Sequence, residues 1–281
     1  MAETAFEIAY REETIAGFEQ GQSYLRSTVT TQAVIKGNQA RFLVADTGGA
    51  TAVTRGTNGM IPSRTDNLTT STATLVEWHD KPRKTSFNIF ASQGDGKQIM
   101  QNGTIKVMNR KIDSDILTTL ATATQYAGTT ALPASLSTFA FCRALLGNND
   151  VDTTDVDNMF FVMTPAFEAY MMQTPEWSSK DYVEVRIMGG PVMRYLRFGG
   201  FNCILNGNLP NKGTSSEICY AYHRSAIGHA ANTGEMMVKV GYNDEDDYSW
   251  ARTSMYMGGA LLQNAGVVKI RHDGSAFAAT A

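Results

Sequence analysis

Charge is scarce in this chain. Of 281 residues, 18% are charged while 43% are hydrophobic, and the formal net charge is −3. Blocks of like sign are nearly absent; the acidic run Asp244–Asp247 is short. A protein that hides surface against copies of itself needs fewer charges, because charge is depleted at interface centres. The lack of a basic excess argues against tight wrapping of nucleic acid. Cysteine is equally sparse. Cys142, Cys203 and Cys219 are far apart, odd in number and without CxxC spacing. They predict neither a disulfide framework nor a zinc site, but buried free thiols in a reducing compartment. Long hydrophobic runs are missing too. Ala134–Leu146 is too short and interrupted to cross a membrane, and MAETAFEIAYREET has no apolar signal core. Glycine pairs occur at Gly48-Gly49, Gly189-Gly190 and Gly199-Gly200, but none leads into GK[ST] or a helix start, so all read as flexible turns rather than phosphate loops.

What is present is an unusual order of parts. Ile8, Ile15, Phe18, Gln22 and Leu25 fall on one face of a helix that Gly17 and Gly21 weaken, each by roughly 1 kcal/mol. A marginal terminal helix needs a surface to lie against. TTQAVIKGN and QARFLVAD read as two strands joined by a turn at Gly37-Asn38. The pattern then stops. Thr47–Thr74 contains nine threonines and four glycines with no sustained period. A segment this long is uncommon inside a compact domain, and threonine favours extended chain. It predicts a projecting β-arm that requires a partner surface, with Leu75–His79 and Ser86–Phe90 as its return leg. Met60-Ile61-Pro62 supplies an apolar anchor within it.

A helix follows over about 95–123. Ile105, Met108, Ile112, Ile116 and Leu120 form its stripe, Ser92 and Asp95 are its candidate caps, and Gly103 sits inside it. A second helix spans Ser135–Leu146 and stops at Gly147. Met159–Met163 is a short buried strand, and Thr164-Pro165 opens a helix whose Phe167, Tyr170 and Met171 face inward. Strands are expected around 183–187, 201–205 and 218–222. The tail is all strand: 235–242, 250–257 with an extension to 262 through a flexible Gly258-Gly259, and 267–272.

ICYAYHRSAIGHA followed by MMVKVGYNDEDDYSWARTSMYMGGALLQNAGVVKIR resembles the closing passage of the major capsid proteins of tailed bacteriophages, which have the Hong Kong 97-type shell fold. GALLQNAGVVKI, residues 259–270, is similar to that family's G-A-x-x-x-x-x-A-V-V-x-I ending, with one extra residue before the final valines. MFFVMTPAFEAYMM resembles its strand-then-helix passage, and GGFNCILNGNLP the strand that re-crosses its central domain.

The resemblance implies an α+β fold divided as follows. An N-terminal arm occupies 1–30. Strands and an extended loop occupy 31–94, the loop itself being about 47–80. A peripheral domain with its spine helix takes 95–129, an axial domain 130–233, and the closing strands of the peripheral domain 234–281. It implies self-assembly into hexamers and pentamers that form an icosahedral head around double-stranded DNA, in the virion and assembled in the host cytoplasm. The DNA would be held non-specifically. Other implied partners are a portal, a decoration protein and a separate scaffolding protein, because only about 30 residues precede the first strand. Some members cross-link through a lysine on the extended loop; between Lys36 and Lys81 there is none, so no such bond is expected. No cofactor, metal or membrane is expected. The intersubunit contact candidates are Ile15, Phe18 and Leu25 on the arm, Arg55, Met60, Ile61 and Arg64 on the loop, and Asp244 and Glu245 as carboxylates that a neighbour's arginine could meet.

Two other readings compete. A bacterial nanocompartment shell, an encapsulin, shares the fold and holds cargo enzymes. A soluble hydrolase would use Ser225 as nucleophile and His223 as base, which share a face if Ala221–Ser225 is extended. No G-x-S-x-G elbow surrounds Ser225. His223 and His229 lack the i, i+4 spacing and third ligand of a helical metal site, and Asp244–Asp247 lacks the calcium-loop pattern.

Overall fold

The computed structural model describes residues 23–32, 37–47, 50–64, 67–86, 96–178, 196–231 and 237–277. The terminal stripe at Ile8–Gln22, the caps Ser92 and Asp95, Gly48-Gly49, Gly189-Gly190 and the strand expected at 183–187 lie outside the described residues. So do the 87–90 portion of the expected return leg and the lysine-bearing stretch 33–36.

Thirteen strands are distributed over three sheets among the described residues. The first sheet is organised around β12 (Tyr248–Leu261). One side of β12 carries β10 (Ile227–Ala231) and then β11 (Met237–Asn243); the other side carries β4 (Val76–Asp80) and then β5 (Arg83–Thr85). Short β1 (Thr30–Gln32) adds to β10 in parallel. The second sheet has the order β13 (Val267–His272), β9 (Glu217–His223), β6 (Met159–Met163), β8 (Phe201–Leu205), β7 (Leu196–Phe198), with β6 and β8 parallel. The third is a two-stranded ribbon, β2 (Gln39–Asp46) with β3 (Asn67–Thr74).

The helix α1 runs Gly96–Ala121, about 39 Å at 1.5 Å per residue. Its buried line is Met100, Thr104, Met108, Ile112, Ile116 and Leu120, each four residues on from the last. Ile105, expected in that line, is half-buried. Thr104 takes the inner place and accepts a hydrogen bond from the Thr253 hydroxyl on β12 at 2.9 Å, which satisfies both buried hydroxyls. At the other end Lys269 Nζ donates to the Ala121 carbonyl at 3.2 Å, a cation on the negative end of the helix.

The second sheet is buried on both faces. Phe160, Val162, Tyr220 and Tyr222 join one core with α1 and the first sheet. Phe161, Met163, Cys203, Cys219 and Ala221 face a second core covered by α2 (Leu136–Asn148) and α3 (Pro165–Met171). Two-sided burial explains why β6 reads as an unbroken apolar run. The cap of α3 is as expected: Thr164 Oγ1 accepts from Phe167 N at 3.2 Å, with Pro165 in the first turn. Thr164 also donates to Glu217 at 2.6 Å, a wholly buried carboxylate that Gly213 N–H meets from the other side at 2.6 Å. Among the described residues, no helix is long and apolar enough to cross a membrane.

Several expectations change. Among the described residues the 30–38/39–46 hairpin has no paired rungs: β1 adds to β10 while β2 pairs with β3, because each finds a longer-range edge. The return leg of the arm is β3, inside the stretch that had no visible period. Leu75–His79 belongs instead to the body, where β4 pairs with β12. The helix α2 runs through Gly147 to Asn148, and Asp150 rather than glycine takes the positive φ (59°) beyond it. The tail is split, since β13 joins β9 in the second sheet while β11 and β12 build the first. Gly199-Gly200 is a tight two-residue hairpin turn, with both φ values positive (59° and 85°) and Phe139 and Arg143 packed against it.

Gly258-Gly259 is not a flexible joint. The pair lies inside β12, and successive residues of a strand face opposite sides. A Cβ on Gly258 would come within 2.2 Å of the Thr74 carbonyl oxygen, and one on Gly259 within 2.1 Å of Thr119 Oγ1 on α1. Gly258→Ala is expected to destabilise the chain by about 1–3 kcal/mol, because the obstacle is backbone. Gly103→Ala, in a helix interior with open space around it, is expected to stabilise by about 0.5–1 kcal/mol. Urea midpoints of the two variants, which should move in opposite directions, check both.

Candidate assembly surfaces

The arm is rooted by small residues. Cross-strand pairs place Ala40, Phe42 and Ala73 on one face of the β2–β3 ribbon, where they pack with Ala230 and are flanked by Leu75, Ala260 and Leu262. Gly228 lets the Phe42 ring come close; a Cβ there would be 3.0 Å away. The opposite face carries Leu43 and Leu68, which are 68% and 58% exposed. Threonines fill four of the eight β3 positions, so the ribbon is held by its ladder and one anchored face. Beyond it, every described residue from 50 to 64 is exposed. A small turn closes the tip, with Gly56 N donating to Met60 O at 3.0 Å and Gly59 N to Gly56 O at 2.9 Å. It presents Met60 and Ile61 at 75% and 69% exposure. Burying such a pair against a neighbour would contribute several kcal/mol at about 25 cal/mol per Å².

The other candidates are placed as follows. Arg55 and Arg64 are exposed on the arm, and Asp244 and Glu245 are exposed on the β11–β12 turn. That turn is braced from its own sheet: Asp247 accepts from the Ser86 hydroxyl at 2.6 Å and from the Tyr242 hydroxyl. These two bonds, Ser86 first, hold the Asp247 carboxyl below the usual range. Ile15 and Phe18 lie outside the described residues. Leu25 is a correction. It is fully buried in the core shared by α1 and the two larger sheets, so it offers no surface to a neighbour. The cause is Asp113, wholly buried on α1. Its carboxylate accepts from Ser23 Oγ at 2.5 Å, Tyr24 N at 3.1 Å and Leu25 N at 3.2 Å. The chain is therefore stitched to the helix from Ser23 onward. Nothing near Leu25 in sequence signals a carboxylate some ninety positions away.

The two chemical candidates of the HRSA stretch separate. Arg224–Ala226 is a single 3-10 turn at the corner where the chain leaves the second sheet (β9) for the first (β10). His223 Nδ1 accepts from Ser225 N at 3.3 Å and lies 2.7 Å from Ser225 Oγ. The imidazole is thus the cap of that turn. Burial pushes its pKa down, and the charges of Asp155 and Asp152 oppose the shift. His229 is 1% exposed on β10, its Nε2 3.3 Å from Asp115 Oδ2 on α1. The two histidines therefore occupy different environments. No group of three or more metal-ligating side chains occurs among the described residues.

A second serine–histidine–acid set was not visible in the sequence. His79 Nδ1 is 2.8 Å from Ser254 Oγ, and His79 Nε2 is 2.9 Å from Glu77 Oε1. Only the β4–β12 register, which sets His79 opposite Ser254, brings them together. Ser254 sits on a central strand flanked by β4 and β11, so its backbone is committed to the sheet ladder. It presents no free N–H pair where an oxyanion would form.

The thiols are inert by burial. Desolvation pushes Cys142 and Cys219 each up to about 12, and raises Cys203 as well. At about pH 8, near the ordinary thiol value, the folded chain is expected to leave all three unreacted with a thiol reagent that modifies them promptly in urea. Rapid stoichiometric modification of the native chain would contradict their placement. Asp113→Ala leaves the buried Leu25 N–H and the part-buried Tyr24 N–H without their acceptor and should cost about 1–3 kcal/mol, read as a lower urea midpoint.

Comparison with known proteins bears on what these surfaces are for. No curated protein sequence matches the chain. Solved structures share its fold at low identity. The capsid of the Cyanophage P-SCSP1u matches with a TM-score of 0.74 at 10% identity, over 95% of this chain and 93% of that one. A structure from Mycobacterium phage Che8 gives 0.72 at 13%, over 96% and 98%. The capsid of a native GTA particle gives 0.69 at 14%, over 97% of each. Residues 2–274 match the family described as phage capsid protein. With that match spanning nearly the whole sequence, and with the Hong Kong 97-type shell fold in place, the chain belongs to the phage capsid protein family.

Proposed function

We propose that this chain is the major structural unit of a bacteriophage head, assembling into hexamers and pentamers that close an icosahedral shell around double-stranded DNA. The observation that carries this reading is the arm. A ribbon fixed at its root by Phe42 holds out a 15-residue stretch, 50–64, exposed throughout and carrying Met60 and Ile61. A monomer gains nothing from exposing them. A shell in which each arm lies over a neighbour buries them once per subunit, and many modest contacts act together when a ring closes. In this reading α1 is the spine of a peripheral block, and the second sheet, with α2 and α3, forms the block around the capsomer centre. Arg55 and Arg64 meet carboxylates of a neighbour, with Asp244 and Glu245 as candidates; exposed pairs of this kind contribute about 0–1 kcal/mol each. The chain acts through contact and not catalysis: His223 caps a turn, and Ser254 lies in a sheet ladder. A portal, a decoration protein and a separate scaffolding protein would complete the particle, and assembly would take place in the host cytoplasm.

The double variant Met60→Asp/Ile61→Asp tests the reading. Both sites are exposed, so monomer stability should change by no more than about 0.5 kcal/mol. Assembly should need roughly tenfold or more higher concentration, because two anchors per subunit are lost. Electron microscopy and sedimentation of the expressed protein read this out. Normal shells from the variant, or native particles that hold a cargo enzyme in place of DNA, would contradict the proposal.

A further inference from the structure

A cleft of about 520 Å³ opens beside the second sheet, between the 131–134 segment, the C-terminal end of α3 with the turn after it, and the end of β13. Small-molecule sites occupy about 300–1,000 Å³. His272, only 3% exposed, belongs to the cleft wall. Its Nδ1 is 3.1 Å from the Leu132 carbonyl oxygen. A carbonyl only accepts, so Nδ1 carries the proton, and Nε2 of the neutral ring is an acceptor. That Nε2 is buried and has no hydrogen-bond partner. A buried polar atom left unpaired is costly and uncommon. The ring is fixed by the Leu132 bond and by edge contacts with Phe167 and Tyr170, whose centroids are 5.0 and 5.3 Å away.

Carboxylates flank this imidazole. Glu217 stands opposite His272 across the β13–β9 ladder and is wholly buried. Asp273, the next residue, is also in the cleft wall. Ser275 N at 3.1 Å and Ser275 Oγ at 2.6 Å both donate to Asp273 Oδ1, so among the described residues Oδ2 makes no bond. The same bonds, the side chain's first, hold the Asp273 carboxyl below its usual range. No lysine or arginine is among the described lining residues. The two cations of β13, Lys269 and Arg271, serve the other face of the strand, where both lie over the Tyr126 ring at 4.3 and 4.5 Å. We infer that this cleft binds an alkylammonium group, with Asp273 and His272 as its acceptors and Tyr170 as its aromatic wall. An ammonium has three donors and no acceptor. Asp273 Oδ2 and His272 Nε2 take two of them, and a tyrosine face attracts a cation within about 6 Å. The alkyl stem lies along Leu132 and Pro133, which line the same cleft. An anion would meet two carboxylates and no cation. A metal ion would want a third ligand, and no group of three occurs among the described residues. Every group in the site comes from one chain, so the inference does not depend on the shell reading.

The test is calorimetric titration of the DNA-free full-length protein with n-butylammonium. Binding at about 1 mM or tighter is expected for a ligand of this size. Butanol and butyrate, of similar length, should bind at least about tenfold more weakly, since one lacks the charge and the other reverses it. Asp273→Asn keeps an oxygen for Ser275 and should weaken the amine about tenfold. Tyr170→Leu should weaken it about threefold or more. Asp246→Asn, on the exposed β11–β12 turn, should leave it unchanged. The amine should also raise the thermal midpoint of the native chain more than that of Asp273→Asn, a readout that needs no comparison of the two folds. Nα-acetyl-lysine methylamide separates the two sources of the group: tighter binding than butylammonium assigns a lysine of another protein, and weaker binding assigns a free amine. No binding up to about 10 mM, butanol bound as tightly as the amine, or an Asp273→Asn chain that binds as well as the native one would overturn the inference and leave the shell reading standing.

Discussion

The tightest constraint in the molecule is the passage of β12 between α1 and the root of the arm. Gly258 and Gly259 point to opposite sides of that strand, one under the Thr74 carbonyl and the other under Thr119 of the helix. No side chain fits on either side. The close approach fixes three things together: the height of the helix above the sheet, the register of β12 with β10 and β4, and the place where the ribbon leaves the body. Thr119 is held in turn by its own hydroxyl, which donates to the Asp115 carbonyl one turn back at 3.0 Å. A larger residue would displace the helix or the arm, and the exposed tip would move with them.

From that seam the two main sheets share one core. Phe160 and Tyr222 of the second sheet pack in the same cluster as Met108 and Ile112 of the helix and Met255 of β12. The chain crosses between the sheets at the HRSA turn, where His223 caps the corner, and crosses back when β13 returns beside β9. The crossing is held by hydrogen bonds: Leu262 N and Gln263 N both donate to the Ala226 carbonyl, at 2.9 and 3.2 Å. The two sheets are thus joined by packed side chains and by the strands that cross between them.

The polar clusters have a common character. Asp113, Glu217 and the His223 turn are each satisfied by neighbouring donors or acceptors and hold segments together. The Glu77–His79–Ser254 set has the proton-transfer order of a hydrolase, yet its serine is buried on a flat sheet with its amide in the ladder. What the surface leaves uncovered, among the described residues, is apolar: Met60 and Ile61 at the arm tip and Leu43 and Leu68 on the ribbon.

Local physics made much of the plan legible in the sequence. The four-residue spacing of Met108, Ile112, Ile116 and Leu120 specified α1. The threonine cap and proline specified the start of α3. The apolar run of β6 and the strands 201–205 and 267–272 carried their own signals, and the length and polarity of 47–74 required a projecting segment. Partners distant in the chain decided the rest. The β2–β3 pairing hid in a threonine run because a ribbon with one anchored face needs little hydrophobic alternation. Leu75–His79 went to the body because β12 offered a long edge. Leu25 went inside because a buried carboxylate on α1 draws in the backbone before it. Sequence spacing determines which face of an element is apolar; only tertiary contact determines which element that face meets, because the hydrogen bonds and close approaches that choose the partner join residues tens to hundreds of positions apart.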